Sequence, residues 1–151
     1  MKGVYTASYR AAGWTGALTA LIMTAPATKV IEILAGSITN ESNLTNAQFY
    51  ALFQRVTTDG SGAGNAVTPV PTESGDQAAG TTVKNPTVDP TTFTNNTESG
   101  REGASTLSGW FYDPIPEERV YIAPSGILAL RTPGAIASFN AVFSIRFREI
   151  G

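Results

Sequence analysis

From Phe139 to Phe147 every second residue is apolar: Phe139, Ala141, Phe143, Ile145 and Phe147. Asn140, Ser144, Arg146 and Arg148 fall on the opposite side, and only Val142 breaks the alternation. A period of two marks a strand buried on one face. A slip of one residue would turn Phe139, Phe143 and Phe147 outward together, so burial fixes the register. A strand of this kind, spanning Ser138 to Ile150, needs a second apolar face to pack against, and the rest of the chain has to supply it.

The first third supplies strands. Val4 to Arg10 alternates, with Tyr5, Ala7 and Tyr9 on one side. Trp14 to Thr24 carries Leu18, Ala20 and Ile22 on one face, and Ala25-Pro26-Ala27 ends it. The uncharged run after Arg10 superficially resembles a leader or a membrane span. Gly13, Thr15, Gly16, Thr19 and Thr24 dilute it, so the periodicity favours a strand and no membrane segment is expected. Lys29 to Ile38 has apolar residues on both faces and reads as a central strand. Ala47 to Val56 fits a helical stripe or a strand face, and its Phe, Tyr and Val content favours the strand.

The last third is again dense in strand signal. Thr106 to Tyr112 carries Leu107, Trp110, Phe111 and Tyr112, and Asp113-Pro114-Ile115-Pro116 forms a rigid corner. Arg119 to Ala123 reads as a short strand, and Pro124-Ser125-Gly126 as a hairpin turn in which Gly supplies positive φ. Ile127 to Arg131 follows, and Pro133-Gly134 reads as another turn. About eight short strands with Pro and Gly turns, and no long amphipathic stretch, predict an all-β, jelly-roll-like sandwich or barrel. We read residues 1–151 as a single β-sandwich domain.

Residues 58–105 stand apart. They contain no Leu, Ile, Trp or Tyr, and Phe93 is their one Phe. Six acids face two bases there, so the segment carries −4 and the remainder +2 of the total −2. Such a stretch cannot build its own core. It is expected to form an extended loop or arm that gains order by gripping a partner subunit.

The chemical inventory is narrow. The chain has no His and no Cys, which excludes the common zinc sites, His-based nucleophile pairs and disulfides. With ten bases against twelve acids, the basic excess of a nucleic-acid-binding domain is missing. Gly60-Ser61-Gly62-Ala63-Gly64 lacks the Lys and helix of a phosphate loop. Asp113, Glu117 and Glu118 read as a surface corner, because adjacent strand residues point apart. Asp59, Asp76 and Asp89 lack calcium-loop spacing. Asn40-Glu41-Ser42, Asn43-Leu44-Thr45 and Asn95-Asn96-Thr97 match a glycosylation triplet that such a composition produces by chance. No catalytic residue, cofactor or metal is expected. Trp14, Phe93, Trp110, Tyr112 and Arg119 are the candidate interface residues, since aromatics and Arg dominate both cores and protein contacts.

Two stretches carry a resemblance. One is Thr68-Pro69-Val70-Pro71 followed by Ser74-Gly75-Asp76-Gln77-Ala78-Ala79. The other runs from Gly109-Trp110-Phe111-Tyr112-Asp113-Pro114-Ile115-Pro116-Glu117-Glu118-Arg119 to Ala123-Pro124-Ser125-Gly126-Ile127-Leu128-Ala129-Leu130. In order and chemistry they resemble small structural proteins of tailed bacteriophages, over roughly residues 60–151. The resemblance implies a jelly-roll or β-barrel virion component without catalytic residues, such as a capsid decoration (cement) protein that trimerises on the outer shell. The expectations that follow are a homotrimer, the major capsid protein as partner, a place on the capsid exterior after synthesis in the bacterial cytoplasm, and no nucleic-acid or membrane partner. The alternative is a receptor- or glycan-binding module on a tail or fibre.

Overall fold

A computed structural model describes residues 3–42, 46–59 and 62–151. It is all-β, an antiparallel sheet curled into a half-barrel, as the sequence predicts at the level of class. The strands are β1 (Val4–Thr24), β2 (Val30–Asn40), β3 (Gln48–Thr58), β4 (Gly64–Val67), β5 (Val70–Pro71), β6 (Thr82–Pro86), β7 (Thr92–Ser105), β8 (Trp110–Tyr112), β9 (Tyr121–Ile122) and β10 (Ile127–Ile150). Among the described residues the one helical element is a 3-10 turn at Pro116–Glu118.

The architecture is set by two long strands that bend. Val4 to Ala11 of β1 pairs with Ala141 to Arg148 of β10, and Leu18 to Thr24 pairs with Ile127 to Thr132. Between these runs the register shifts repeatedly, at Ala11/Trp14, Trp14/Gly16 and Gly16/Leu18. Gly13 and Gly16 sit in the bend at φ 65 and 68, a conformation that costs a side chain most and glycine least. A Cβ on Gly16 would also overlap the Gly134 carbonyl. Bulges and glycines at such a bend let one sheet fold over its own face.

The bend divides the sheet into two facing layers. One contains β4, β6, the end of β1, the start of β10, β3 and β7. The other contains β5, the start of β1, the end of β10, β2, β8 and β9. Phe53 of β3 reaches across to Trp110 and Tyr112 of β8, with ring centroids 5.7 and 5.0 Å away. Phe139, Ala141, Phe143, Ile145 and Phe147 are all buried between the layers, as their alternation predicts.

Four sequence expectations change. The pairs of short strands at each end of the chain are in fact the single strands β1 and β10. Pro133-Gly134 therefore does not turn. It lies where β10 is unpaired by β2 and β3 and where its ladder with β1 skips, a position that tolerates a residue without an N–H. Thr106–Ser108 is a turn rather than strand. In the hairpin turn before β10 it is Ser125, at φ 59, that takes the left-handed conformation. Gly126 is instead required by crowding, because a Cβ there would lie 2.8 Å from the Ala123 carbonyl.

The fourth change concerns residues 58–105, which are not a free arm. β6 pairs with β1, β4 with β6, β5 with β1 and β7 with β3. The segment buries little apolar surface but satisfies its backbone on its own barrel. Polar side chains complete the attachment. Asp76 accepts from the Gly3 amide at 2.9 Å and Asp89 from the Thr19 amide at 2.7 Å. Asn85 donates to the Ala20 carbonyl at 2.8 Å, and Lys84 bonds Asp59 at 2.7 Å. The three aspartates considered for calcium thus have separate structural uses.

Candidate functional site

Gly109 to Arg119 forms the rim of the second layer. Gly109 enters at φ 74, with its amide bonded to the Ser105 carbonyl at 2.9 Å. The alternation of β8 then sorts its aromatics. Trp110 points in and is buried, Phe111 points out and is 60% exposed, and Tyr112 points in and is half-buried. Trp110 and Tyr112 stack with centroids 6.2 Å apart. Beyond them the corner stays close to the sheet. The Tyr112 hydroxyl donates to the Glu118 carbonyl at 3.0 Å, and the Ile33 amide to the Val120 carbonyl at 2.9 Å.

A buried carboxylate ties the end of this corner down. Glu32 is 1% exposed, in the middle of the apolar run of β2. Arg119 Nη1 donates to its Oε1 at 3.0 Å, the Tyr121 hydroxyl to Oε1 at 3.1 Å, and Arg148 Nε to Oε2 at 2.8 Å. Burial alone would raise the Glu32 pKa. The hydrogen bonds from Arg119, Arg148 and Tyr121 outweigh burial and hold it below the ordinary 4.5. A second clamp closes nearby. Glu149, its side chain 2% exposed, bonds Lys29 at 2.6 Å and the amide and hydroxyl of Thr81 at 2.7 and 2.8 Å. Burial opposes its ionisation too, and Lys29 and Thr81 outweigh that and lower its pKa.

The interface candidates separate on this frame. Trp14 and Trp110 are core residues of the protomer, 7% and 2% exposed. Trp14 packs edge-on against Phe143 at 4.8 Å and donates to Thr132 Oγ1 at 3.3 Å. Tyr112 is mostly engaged by Phe53, Trp110 and Glu118, and Phe93 lies 3.7 Å beneath the Arg131 guanidinium. Arg119 is bound to Glu32. Trp14 and Trp110 therefore lie inside the protomer, whereas Phe93, Tyr112 and Arg119 are partly exposed. Asp113, Glu117 and Glu118 lie exposed around the 3-10 turn. Gly60-Ser61 and Asn43-Leu44-Thr45 lie outside the described residues.

Three exposed apolar residues stand outside the interface candidates; the alternation along Trp110-Phe111-Tyr112 signals Phe111, and nothing in the sequence signals the exposure of Leu107 and Ile115. Phe111 in β8 is 60% exposed, and Leu107 and Ile115 on either side of the strand are 64% and 59% exposed. Glu32 was also missed, although a single acid inside Val30-Ile31-Glu32-Ile33-Leu34 signals a buried charge in need of partners. The chain matches no family model, and comparison with curated proteins and with solved structures returned no match.

Proposed function

We propose that the chain is a non-enzymatic structural component of a phage virion, a capsid decoration protein that stabilises the head by binding across major capsid subunits. The observation that carries this reading is the corner at β8. Large apolar side chains, Leu107, Phe111 and Ile115, are held out in solvent on a backbone anchored by Trp110 and by the Glu32–Arg119 bond. Exposed apolar groups on a rigid support are what a protein contact requires, because little conformational entropy remains to be lost on docking. The stretch that carries the phage resemblance contributes two of the three. Residues 58–105 no longer support the reading, since their own barrel accounts for their order. The contact surface moves to the corner, which is proposed to meet the capsid, and the proposed self-assembly is a homotrimer whose closed ring leaves the corners free for that contact.

The test uses purified protein and capsids lacking it. Light scattering is expected to give a trimer mass, and the protein is expected to co-sediment with capsids. The exposed substitutions Leu107→Ser and Ile115→Ser together should leave the melting transition in place and weaken capsid binding by at least about tenfold, equivalent to ~1.4 kcal/mol. A monomer that leaves capsids unbound overturns the proposal, as does undiminished binding by the double variant.

A further inference from the structure

The outer face of the second layer carries a trough beside the corner. It holds about 410 Å³ and is lined by Thr6, Ala35, Ser37, Phe111, Asp113 and Arg146, with Gly36, Tyr112 and Ser144 completing it. Its shape follows from the register. Ser8, Ser144, Ser37 and Phe111 form one row across β1, β10, β2 and β8, and Thr6, Arg146 and Ala35 form the next. The outward positions are therefore small and hydroxyl-bearing in the middle, with an aromatic ring at one end. Leu34 is an extra residue in β2, between Ala35 opposite Arg146 and Ile33 opposite Phe147. Such a bulge bends the strand locally, and bulges are frequent beside binding sites.

The charges in the trough are unspent. Arg146 and Asp113 are both exposed, and neither side chain makes a hydrogen bond or ion pair among the described residues. Most other charged side chains of the barrel are engaged, in the Glu32 and Glu149 clamps, Asp59–Lys84, Asp89–Arg131 and Arg10–Glu41. A guanidinium and a carboxylate left apart in one trough select the ligand. The carboxylate repels phosphate or sulfate, and the guanidinium repels an ammonium group. A neutral polyhydroxyl ligand satisfies both, donating hydroxyls to Asp113 and accepting from Arg146 through charge-assisted hydrogen bonds. Ser37, Ser144 and Thr6 offer further hydroxyl partners, and the exposed Phe111 face suits the electropositive C–H side of a sugar ring. The volume lies in the lower part of the range for small-ligand sites.

We infer that this trough is a binding site for a neutral glycan, taking hexose units against Phe111 between Arg146 and Asp113. The site goes beyond the decoration role, shares Phe111 with the proposed capsid contact, and uses neither Leu107 nor Ile115. The probes are maltose, cellobiose, lactose and mannobiose, titrated at millimolar concentration into the full chain and followed by amide NMR. At least one is expected to shift signals confined to Ser37, Phe111, Asp113, Ser144 and Arg146. Phe111→Leu keeps an apolar side chain but removes the ring, and should weaken that binding by at least about tenfold, as should Asp113→Asn. Ile115→Ser should leave it unchanged while reducing capsid binding, so the two proposals fail separately. No shift with any of the four sugars overturns the inference. Shifts away from the trough, or equal affinity in Phe111→Leu, overturn it as well. Trough signals that move only with capsid protein would make the surface a protein contact and also overturn it.

Discussion

Replacing Phe53 by alanine is expected to remove about 4 kcal/mol of stability, within the range measured for buried Phe truncations. Phe53 is fully buried in β3 and is the ring that reaches both Trp110 and Tyr112 in the facing layer. Its loss would leave a void between the layers that neighbouring side chains fill only in part, because Gly36 and Gly100 also border it. A Cβ on Gly36 would lie 3.0 Å from the Phe53 ring, and one on Gly100 3.7 Å from it. Domains of this size commonly have ~5–15 kcal/mol in total, so the variant keeps its fold with a much reduced margin. The melting temperature should fall by about 8–16 °C. Phe53→Leu, which retains most of the volume, should cost less than about 1.5 kcal/mol. Urea titration of the three proteins measures this directly. An alanine variant within about 1 kcal/mol of the parent would mean that the layers are not joined through this ring.

The sequence made the strands legible where side chains alternate. Phe139 to Phe147 announces both its face and its register, and β3 was separated from a helix by β-branched and aromatic content alone. It made the bend illegible. Gly13 reads as a break between two strands and Gly16 as a residue that only dilutes the second, when both sit in the bend by which one strand serves two layers. It also misrepresented residues 58–105, for a physical reason. Strand pairing is made by backbone amides and carbonyls, which every residue but proline carries, so a segment poor in Leu and Ile still joins a sheet if a neighbouring edge is open. Lys84 opposite Ile22 and Phe93 opposite Val56 are pairings that composition does not encode. The rim was half legible. Asp113-Pro114-Ile115-Pro116 reads as a rigid corner, but which of Trp110, Phe111 and Tyr112 faces out depends on the pairing with β2. Glu32 is conspicuous in its run, whereas Arg119 and Arg148 lie 87 and 116 residues away along the chain.

That separation makes Glu32 the most informative polar position. Glu32→Gln is nearly isosteric but removes the charge that two guanidiniums and a phenol share. Breaking a buried pair by deleting one partner typically costs ~3–5 kcal/mol. Here Arg119 and Arg148 are 24% and 39% exposed and can recover water, so the expected loss is near the lower end, about 3 kcal/mol. The effect should carry a pH signature. The folded Glu32 pKa lies below 4.5, so the unfolded chain binds the proton more readily. Its contribution is therefore complete above pH 4.5 and is lost as pH falls through the folded value. The parent and Glu32→Gln should differ most at neutral pH and converge on acidification, while the Glu149 clamp keeps its own acid dependence in both. Stability measured by urea titration at neutral pH and across the acid range decides the matter. A difference that stays constant with pH would assign the loss to packing, and Glu32 would then not be the charged tie that holds the Arg119 corner to β2.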